Sequence, residues 1–493
     1  MGKKPNFIVI MPDQHRADIL GCAGKQVRTP NLDRLASEGV RFSNTFSQSP
    51  LCVPSRASFM TGCYVHTTHC NTNKTFCHEN CPELIDESLL KILKRQGYYN
   101  VDKGKLHLVD HKGAYSAARR VGEQHPELKD HVKNYDPKVK EFGFDECDVV
   151  CGKMESTRVG SLFTDKLKEK GLLDIYQQWL KKYPIINAEP MPVPKEYYID
   201  YFVGDLAVKW LKDFTNSEKK NDPFFLFVGF PGPHDPFDCV EEYVKEYDPN
   251  SIEINDEEIQ LPDRPIAPYN MVSKGVSRSS KVTKEFIKDC RAKYYGNVTL
   301  IDEKVGELTQ ILEDKGLLEN TWIIYTSDHG EQLGGHKLFM KFVFYRSSVQ
   351  VPLIIRPPKG MEGKVIEDDV ELIDVPATIL DILGLPLPAQ HKGKSLMPFI
   401  EGNDNVYHHK DLCISQVFNY IMGVDKDWKF VFDITNGKLV ELYNRKEDFY
   451  ENNNLRKTSE GKKIGQKLYE KYFKEIISKG KNEFEQVDML SNL

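Results

Sequence analysis

The sequence predicts an α/β protein: a large, mainly parallel sheet flanked by helices, followed by a smaller α+β domain. Three observations carry that expectation. Over the first 400 residues or so, short apolar runs alternate with helix-period segments, the pattern of strands joined by helical crossovers. Polar clusters follow four of these runs, at Asp13-Gln14, Lys105 with His107, His234 and Asp328-His329. Open α/β sheets bind their ligands beyond the carboxyl ends of the strands, so clusters so placed can share one cleft. Past residue 400 the pattern changes to short strands, turns and a closing charged helix. The expected domains are therefore 1–400 and 401–493.

Residues 6–11 are an unbroken apolar run, read as a buried strand that stops at Pro12-Asp13. Residues 29–36 read as a helix, with Thr29 as cap, Pro30 at the first helical position and leucines at helical spacing. A strand beginning at 40–42, an amphipathic helix at 87–96 ended by Gly97, and a short strand at 98–101 follow. The region 111–200 is charged and lacks a clear alternating pattern, so an irregular insertion of loops and surface helices is expected there. Helical periodicity returns at 201–214, and 223–230 is a strongly apolar strand broken by Pro231-Gly232-Pro233-His234. A Pro-, Asp- and Ser-rich loop at 250–279 precedes a long helix at 284–315. Strands at 322–326 and 351–356 and a helix at 375–383 complete the larger part. Beyond it, 413–424, 428–433 and 438–443 read as strands and 459–478 as a helix.

Composition narrows the function. Of 493 residues, 40% are hydrophobic and 28% charged, as in an ordinary globular protein. The net charge of −6 argues against a general affinity for nucleic acid. No apolar run approaches the roughly 18–20 residues of a membrane span, so no membrane association is expected. The apolar run at 7–11 stops too early for a signal peptide, and Asn6 breaks the myristoylation pattern; the chain is read as cytoplasmic. Among the eleven cysteines, Cys63, Cys70, Cys77 and Cys81 cluster with His66, His69 and His78. Only Cys77 and Cys81 have the close spacing of a structural zinc pair and no second such pair accompanies them, so reduced, partly buried thiols are expected.

The richest stretch is Cys52-Val53-Pro54-Ser55-Arg56, closed by Thr61-Gly62. Pro54 fits the first turn of a helix, where a missing N–H costs nothing. Cys52 then lies at a helix N-terminus, whose free N–H groups favour anions. Arg56 adds a planar donor fork suited to an oxyanion. This stretch resembles the signature of the type I sulfatases, the formylglycine-dependent branch of the alkaline-phosphatase-like superfamily. In that family the cysteine is oxidised to Cα-formylglycine, and the hydrate of that aldehyde is the nucleophile.

The resemblance extends to each polar cluster. It implies Asp13 and Gln14 as the first metal ligands, Asp328 and His329 within Ser327-Asp328-His329-Gly330-Glu331 as the second pair, and the residue-52 side chain as a further ligand. Gly104-Lys105-Leu106-His107-Leu108 resembles the family's Gly-Lys-Trp-His-Leu motif, which contacts sulfate and nucleophile; Lys341 matches its second sulfate lysine and His234 its leaving-group histidine. Glu441-Leu442-Tyr443, with Glu447-Asp448 and Glu451-Asn452-Asn453, resembles its closing segment. In the implied mechanism Arg56, Lys105, Lys341 and one divalent cation neutralise the sulfate, His234 protonates the departing alcohol, and His107 deprotonates the hydrate so that sulfate is expelled. The implied partners are a sulfated small molecule or saccharide as substrate and a formylglycine-generating or anaerobic sulfatase-maturating enzyme.

One departure is informative. Gln14 stands where the family usually places a carboxylate, leaving two aspartates in an oxygen-rich set that suits Ca²⁺, with Mn²⁺ or Mg²⁺ as alternatives. A glutamine also occurs there in phosphonate monoester hydrolases and choline sulfatases. Asn73 lies near the substrate-contacting asparagine of the former, which makes a phosphonate monoester hydrolase or phosphodiesterase the alternative reading. An anion-binding protein without turnover is the third, should Cys52 stay unmodified.

Overall fold

The computed structural model describes residues 3–109, 138–154, 160–183, 186, 189–261, 282–402 and 408–480. The first apolar run forms β1 (Asn6–Ile10), buried along its whole length and placed inside an eight-stranded sheet. Beside it lie β5 (Phe224–Gly229) and β6 (Thr321–Tyr325), both parallel to it and both fully buried. Strands covered on both faces read as unbroken apolar runs, which is why these three are plain in the sequence. With β2 (Val40–Phe46), β3 (Tyr99–Gly104), β4 (Glu146–Val149), β7 (Gln350–Arg356) and β8 (Lys364–Glu371), the order across the sheet is β4-β3-β5-β1-β6-β7-β2-β8. Only β7 runs against the others, antiparallel to β6 and to β2.

Alternate residues of each strand feed two apolar layers. Phe7, Val9, Phe225 and Phe227 pack with α2 (Cys52–Thr61), α3 (Leu89–Arg95) and α6 (Asp374–Ile382). Ile8, Ile10, Leu226 and Val228 pack with α1 (Pro30–Ser37), α4 (Ile199–Thr215) and the long α5 (Lys284–Asp314). Thr29 precedes α1 as expected, but its hydroxyl donates to Asp33 Oδ1 at 2.9 Å; the helix N-terminus is satisfied by Asp302 of α5, which accepts from Asn31 N and Leu32 N at 3.2 and 2.7 Å.

Two readings need correction. The region 111–200 is more than an irregular insertion: β4 joins the main sheet parallel to β3, and Phe163, Leu167, Tyr176 and Trp179 pack into the second apolar layer. Residues 110–137 lie outside the described residues. β4 escaped the sequence reading because an edge strand needs few apolar residues; Glu146 and Asp148 serve as partners for Lys103, each 2.5 Å from its Nζ. β8 was missed for the same reason, being half polar on the opposite edge. The run 413–424 is two strands, β9 (Cys413–Val417) and β10 (Tyr420–Val424), turned at Phe418, whose φ is 50°. They continue antiparallel into β11 (Trp428–Asp433) and β12 (Leu439–Asn444).

One face of this four-stranded sheet is covered by α7 (Ser459–Leu468) and the helical turns after it, through Leu468, Phe473 and Ile477. The other face meets the main sheet, with Val417, Met422 and Val431 packed on Phe46, Leu51 and Val349. Polar groups cross the same seam. Lys410 Nζ donates to Asp374 Oδ1 at 2.6 Å and to Glu371, His409 Nε2 lies 2.8 Å from Asp374 Oδ2, and Ile414 N donates to Glu371 Oε1 at 2.8 Å. Among the described residues no helix is long and apolar enough to cross a membrane. Removing Lys410 takes away the ammonium that two buried carboxylates share, so Lys410→Met is expected to cost about 3–5 kcal/mol. A clear drop in the thermal midpoint by calorimetry checks it; an unchanged midpoint would show that the seam does not depend on this network.

Candidate active site

The sheet order makes β3, β5, β1 and β6 consecutive neighbours, all parallel, so their carboxyl ends share one edge. From those ends come Lys105 and His107, His234, Asp13 and Gln14, and Asp328 and His329. The reversal of β7 keeps the whole connection from β6 at this edge too, and that connection carries Lys341 and Glu331.

Helix α2 enters the same place. Leu51 is extended, Cys52 is the first helical residue, and every residue of the helix is buried. Gly62 ends it with a φ of 69°, its N–H returning to Ser58 O at 2.8 Å. A side chain there would collide with the His391 ring, which gives the closing Thr-Gly a steric reason. The Ser-Arg of the motif binds the helix to the strand ends. Ser47 and Ser55 both donate to Asp328 O, at 2.5 and 2.6 Å. Arg56 Nε donates to Asp328 Oδ2 at 2.7 Å and its Nη1 to Lys105 O at 2.6 Å. Arg56 therefore gives two of its donor groups to holding the site together.

Ligand atoms of Asp13, Cys52, Asp328 and His329 all lie within 4.8 Å of one another. Cys52 Sγ is 3.2 Å from His329 Nε2 and 3.6 Å from Asp13 Oδ1. His329 Nδ1 lies 3.0 Å from Gly330 O; a carbonyl can only accept, so this nitrogen carries the proton and Nε2 offers its lone pair inward. Burial and Lys341 push the imidazole down to about 4, which keeps it neutral. Against the cost of burial, Lys105, His234 and Lys341 hold the Asp13 carboxyl well below its usual range, and Arg56 lowers Asp328. Gln14 donates Nε2 to Asp235 Oδ1 at 3.2 Å and to Glu331, which turns Oε1 toward Lys341 Nζ, 2.6 Å away. Two ionised carboxylates, an amide oxygen and an imidazole nitrogen fit a divalent cation that prefers oxygen and tolerates one nitrogen.

Cations face the same residues. Lys105 is paired with Asp13, and Lys341 Nζ lies 3.4 Å from Cys52 Sγ. Burial and Asp13 push the Cys52 thiol up to about 11, so at neutral pH it is protonated and a poor nucleophile. His234 sits on a turn with no spare room: Gly232 N donates to Asp200 Oδ1 at 2.6 Å, and a Cβ at Gly232 would fall 2.3 Å from Asp200 Oδ2. Asp13 N reaches back to Gly232 O at 3.1 Å. His234 Nδ1 donates to Asp235 O at 2.6 Å, and its Nε2 accepts from Lys341 Nζ at 2.6 Å. Burial lowers its pKa, so the proton of this pair rests on Lys341. His107 is buried with a φ of 56°. Asn73 lies at the other side of Cys52, its Oδ1 accepting from Val53 N at 3.2 Å.

Sequence reasoning missed the groups that steady this site. Asp235 and Glu331 orient Gln14, and both were visible as neighbours of His234 and His329. Lys153, which bonds Asp238 and Asn297 at 2.9 and 2.7 Å beneath the His234 turn, carries no signal in the chain.

A comparison with known families decides the identity. The profile described as Sulfatase matches residues 5–385, and one described as N-sulphoglucosamine sulphohydrolase, C-terminal, matches 334–478. The chain belongs to the sulfatase family. Its reaction is the hydrolysis of a sulfate ester, in a family whose general chemistry uses a divalent metal and formylglycine. It is 28% identical to an arylsulfatase of Clostridium perfringens, over 88% of this chain and 87% of that one. It is 27% identical to an N-acetylglucosamine-6-O-sulfatase of Bacteroides thetaiotaomicron, over 96% and 85%. The fold superposes on a phosphonate monoester hydrolase of Agrobacterium radiobacter with a TM-score of 0.75 at 22% identity, over 97% and 96% of the two chains. The sequence expectation of a sulfatase with a mainly parallel α/β sheet is thus borne out. Because Glu331 anchors Gln14, Glu331→Ala is expected to weaken divalent-metal binding about 10–100-fold, the usual cost of losing an outer partner. Metal titration of the purified variant checks it, and unchanged affinity would free Gln14 from this control.

Proposed function

We propose that this sulfatase uses a formylglycine made from Cys52 as its nucleophile, with Ca²⁺ held by Asp13, Gln14, Asp328, His329 and residue 52. What carries the reading is the gathering of those side chains, Lys105, Lys341 and His234 around the first residue of one buried helix. A protonated thiol neither attacks sulfur nor provides a second oxygen for expelling sulfate, whereas an aldehyde hydrate does both. Bound there, the cation would supply Lewis-acid charge to the sulfate oxygens. Lys105 and Lys341, on the same side of residue 52, add positive charge on the same group. Arg56 contributes by holding Asp328 and the Lys105 backbone, and by its charge. His234, relayed by the Lys341 ammonium at its Nε2, protonates the leaving alcohol. His107 takes the proton of the second hydrate oxygen. Cys52 is 2% exposed, so the maturating enzyme would act before this segment folds.

A sulfated saccharide is the proposed substrate, supported by the relative named for N-acetylglucosamine 6-O-sulfate. Asn73 is proposed to contact it through the amide nitrogen left by its bond to Val53. The phosphonate alternative has Gln14 and the fold likeness in its favour; Lys105 and His107 follow the sulfatase pattern. Comparing rates on sulfated glucosamines and on phosphonate monoesters separates the two.

Cys52→Ser and Cys52→Ala are both expected to abolish multiple turnover, and activity should scale with the fraction of chains whose Cys52 peptide has the aldehyde mass. Full activity in chains with only unmodified cysteine would overturn the mechanism. His234→Ala should harm esters with basic alcohol leaving groups far more than nitrophenyl esters. Equal losses on the two would pass the acid role to Lys341.

A further inference from the structure

A second cluster of thiols lies beside the site and has no part in the chemistry above. Cys77 opens a single helical turn, and Cys81, four residues on, returns its N–H to Cys77 O at 2.8 Å, so both thiols leave the same side. The loop before them folds back through Thr72 and Thr75 and brings Cys70 against the pair. Cys70 Sγ and Cys77 Sγ are 3.7 Å apart, and the three sulfurs all lie within 4.8 Å of one another. Each residue is at most 1% exposed.

The geometry points to a structural zinc site formed by the thiols of Cys70, Cys77 and Cys81. Zinc–thiolate bonds of about 2.3 Å in a tetrahedron put neighbouring sulfurs about 3.8 Å apart, close to the Cys70–Cys77 separation. Three mutually adjacent thiols cannot all be used up by a disulfide, whereas three thiolates on one zinc leave none over. Binding releases the three thiol protons to solvent and changes no oxidation state. The ligand type also separates this site from the catalytic one: thiolates select a soft ion, the carboxylates and amide oxygen a hard one.

Its place in the fold gives it a purpose. Between Cys70 and Cys77 run Asn71, whose O accepts from Phe418 N at 3.3 Å, and Asn73, whose Oδ1 accepts from Val53 N. The zinc staples the loop that touches both the residue after Cys52 and the turn between β9 and β10. The short spacing of Cys77 and Cys81 is visible in the sequence, but the approach of Cys70 is not.

The full-length protein, purified without chelator and with its thiols reduced, is expected to carry about one zinc per chain by elemental analysis. Cys77→Ser with Cys81→Ser should lose it, and Asp13→Ala with Asp328→Ala should keep it while losing the catalytic cation. Should the cysteine variants fail to fold, titrating the wild-type protein with an organomercurial answers the same question: zinc should be released in step with modification of three thiols. Cobalt(II) exchanged into the Asp13→Ala, Asp328→Ala protein should show thiolate charge-transfer and intense tetrahedral visible bands. The proposal is overturned if reduced protein incubated with zinc retains none after gel filtration, if zinc is retained equally by the cysteine variants, or if Cys70 and Cys77 are found as a disulfide in metal-free active protein.

Discussion

The contact on which the rest depends is the ion pair between Arg56 and Asp328. Both side chains are almost wholly removed from water, at 1% and 0% exposure. Further hydrogen bonds to the two groups offset the cost of burying such a pair, and breaking one typically costs about 3–5 kcal/mol. Here Asp328 Oδ1 accepts from Gln14 N and His329 N, at 3.1 and 3.0 Å, while Arg56 Nη1 holds Lys105 O. One pair of charges therefore fixes the ends of β1, β3 and β6 to the first turn of α2. The side chains that converge on residue 52 are supplied by those same four elements, the turn after β5 and the β6–β7 connection.

How much of this could be read from the chain depended on burial. Strands β1, β5 and β6 are covered on both faces and declare themselves as apolar runs; α5 shows its helical period almost to the residue. The edge strands β4 and β8 carry charges on their open side and look like loop. Most site residues were legible because they stand in a short motif soon after a strand or, for Cys52 and Arg56, at the start of a helix; Lys341, inside the β6–β7 connection, has no such local mark. What those residues do for one another was less so. Arg56 has the donor fork of an anion receptor, yet its nearest obligations are to Asp328 and to a backbone carbonyl. The Lys153, Asp200 and Asn297 group under His234 is drawn from three distant segments, and no local pattern joins them.

The direction of β7 matters more than its place near the middle of the sheet suggests. A parallel strand would have required the chain to cross to the opposite edge after β6. The antiparallel strand lets it stay, fold over the cleft and deliver Glu331 beneath Gln14 and Lys341 between Cys52 and His234. The same connection continues through Phe344 and Val349 into the seam with the four-stranded sheet, so the cleft and the seam are parts of one packed unit.

Helix α5 runs for 31 residues behind all of this. Tyr294 bonds Gln14 O and Arg16 N at 2.6 and 2.9 Å, Asn297 bonds Asp200 at 3.0 Å, and Asp302 caps α1. The turns that carry the chemistry are thus fastened to the longest element of the core instead of hanging from it as separate loops. Local opening of one turn would have to break contacts that also hold the helix in register. Heat inactivation and global unfolding should then be a single event on a single clock, and resistance of the enzyme to heating becomes a property of how slowly α5 leaves the sheet.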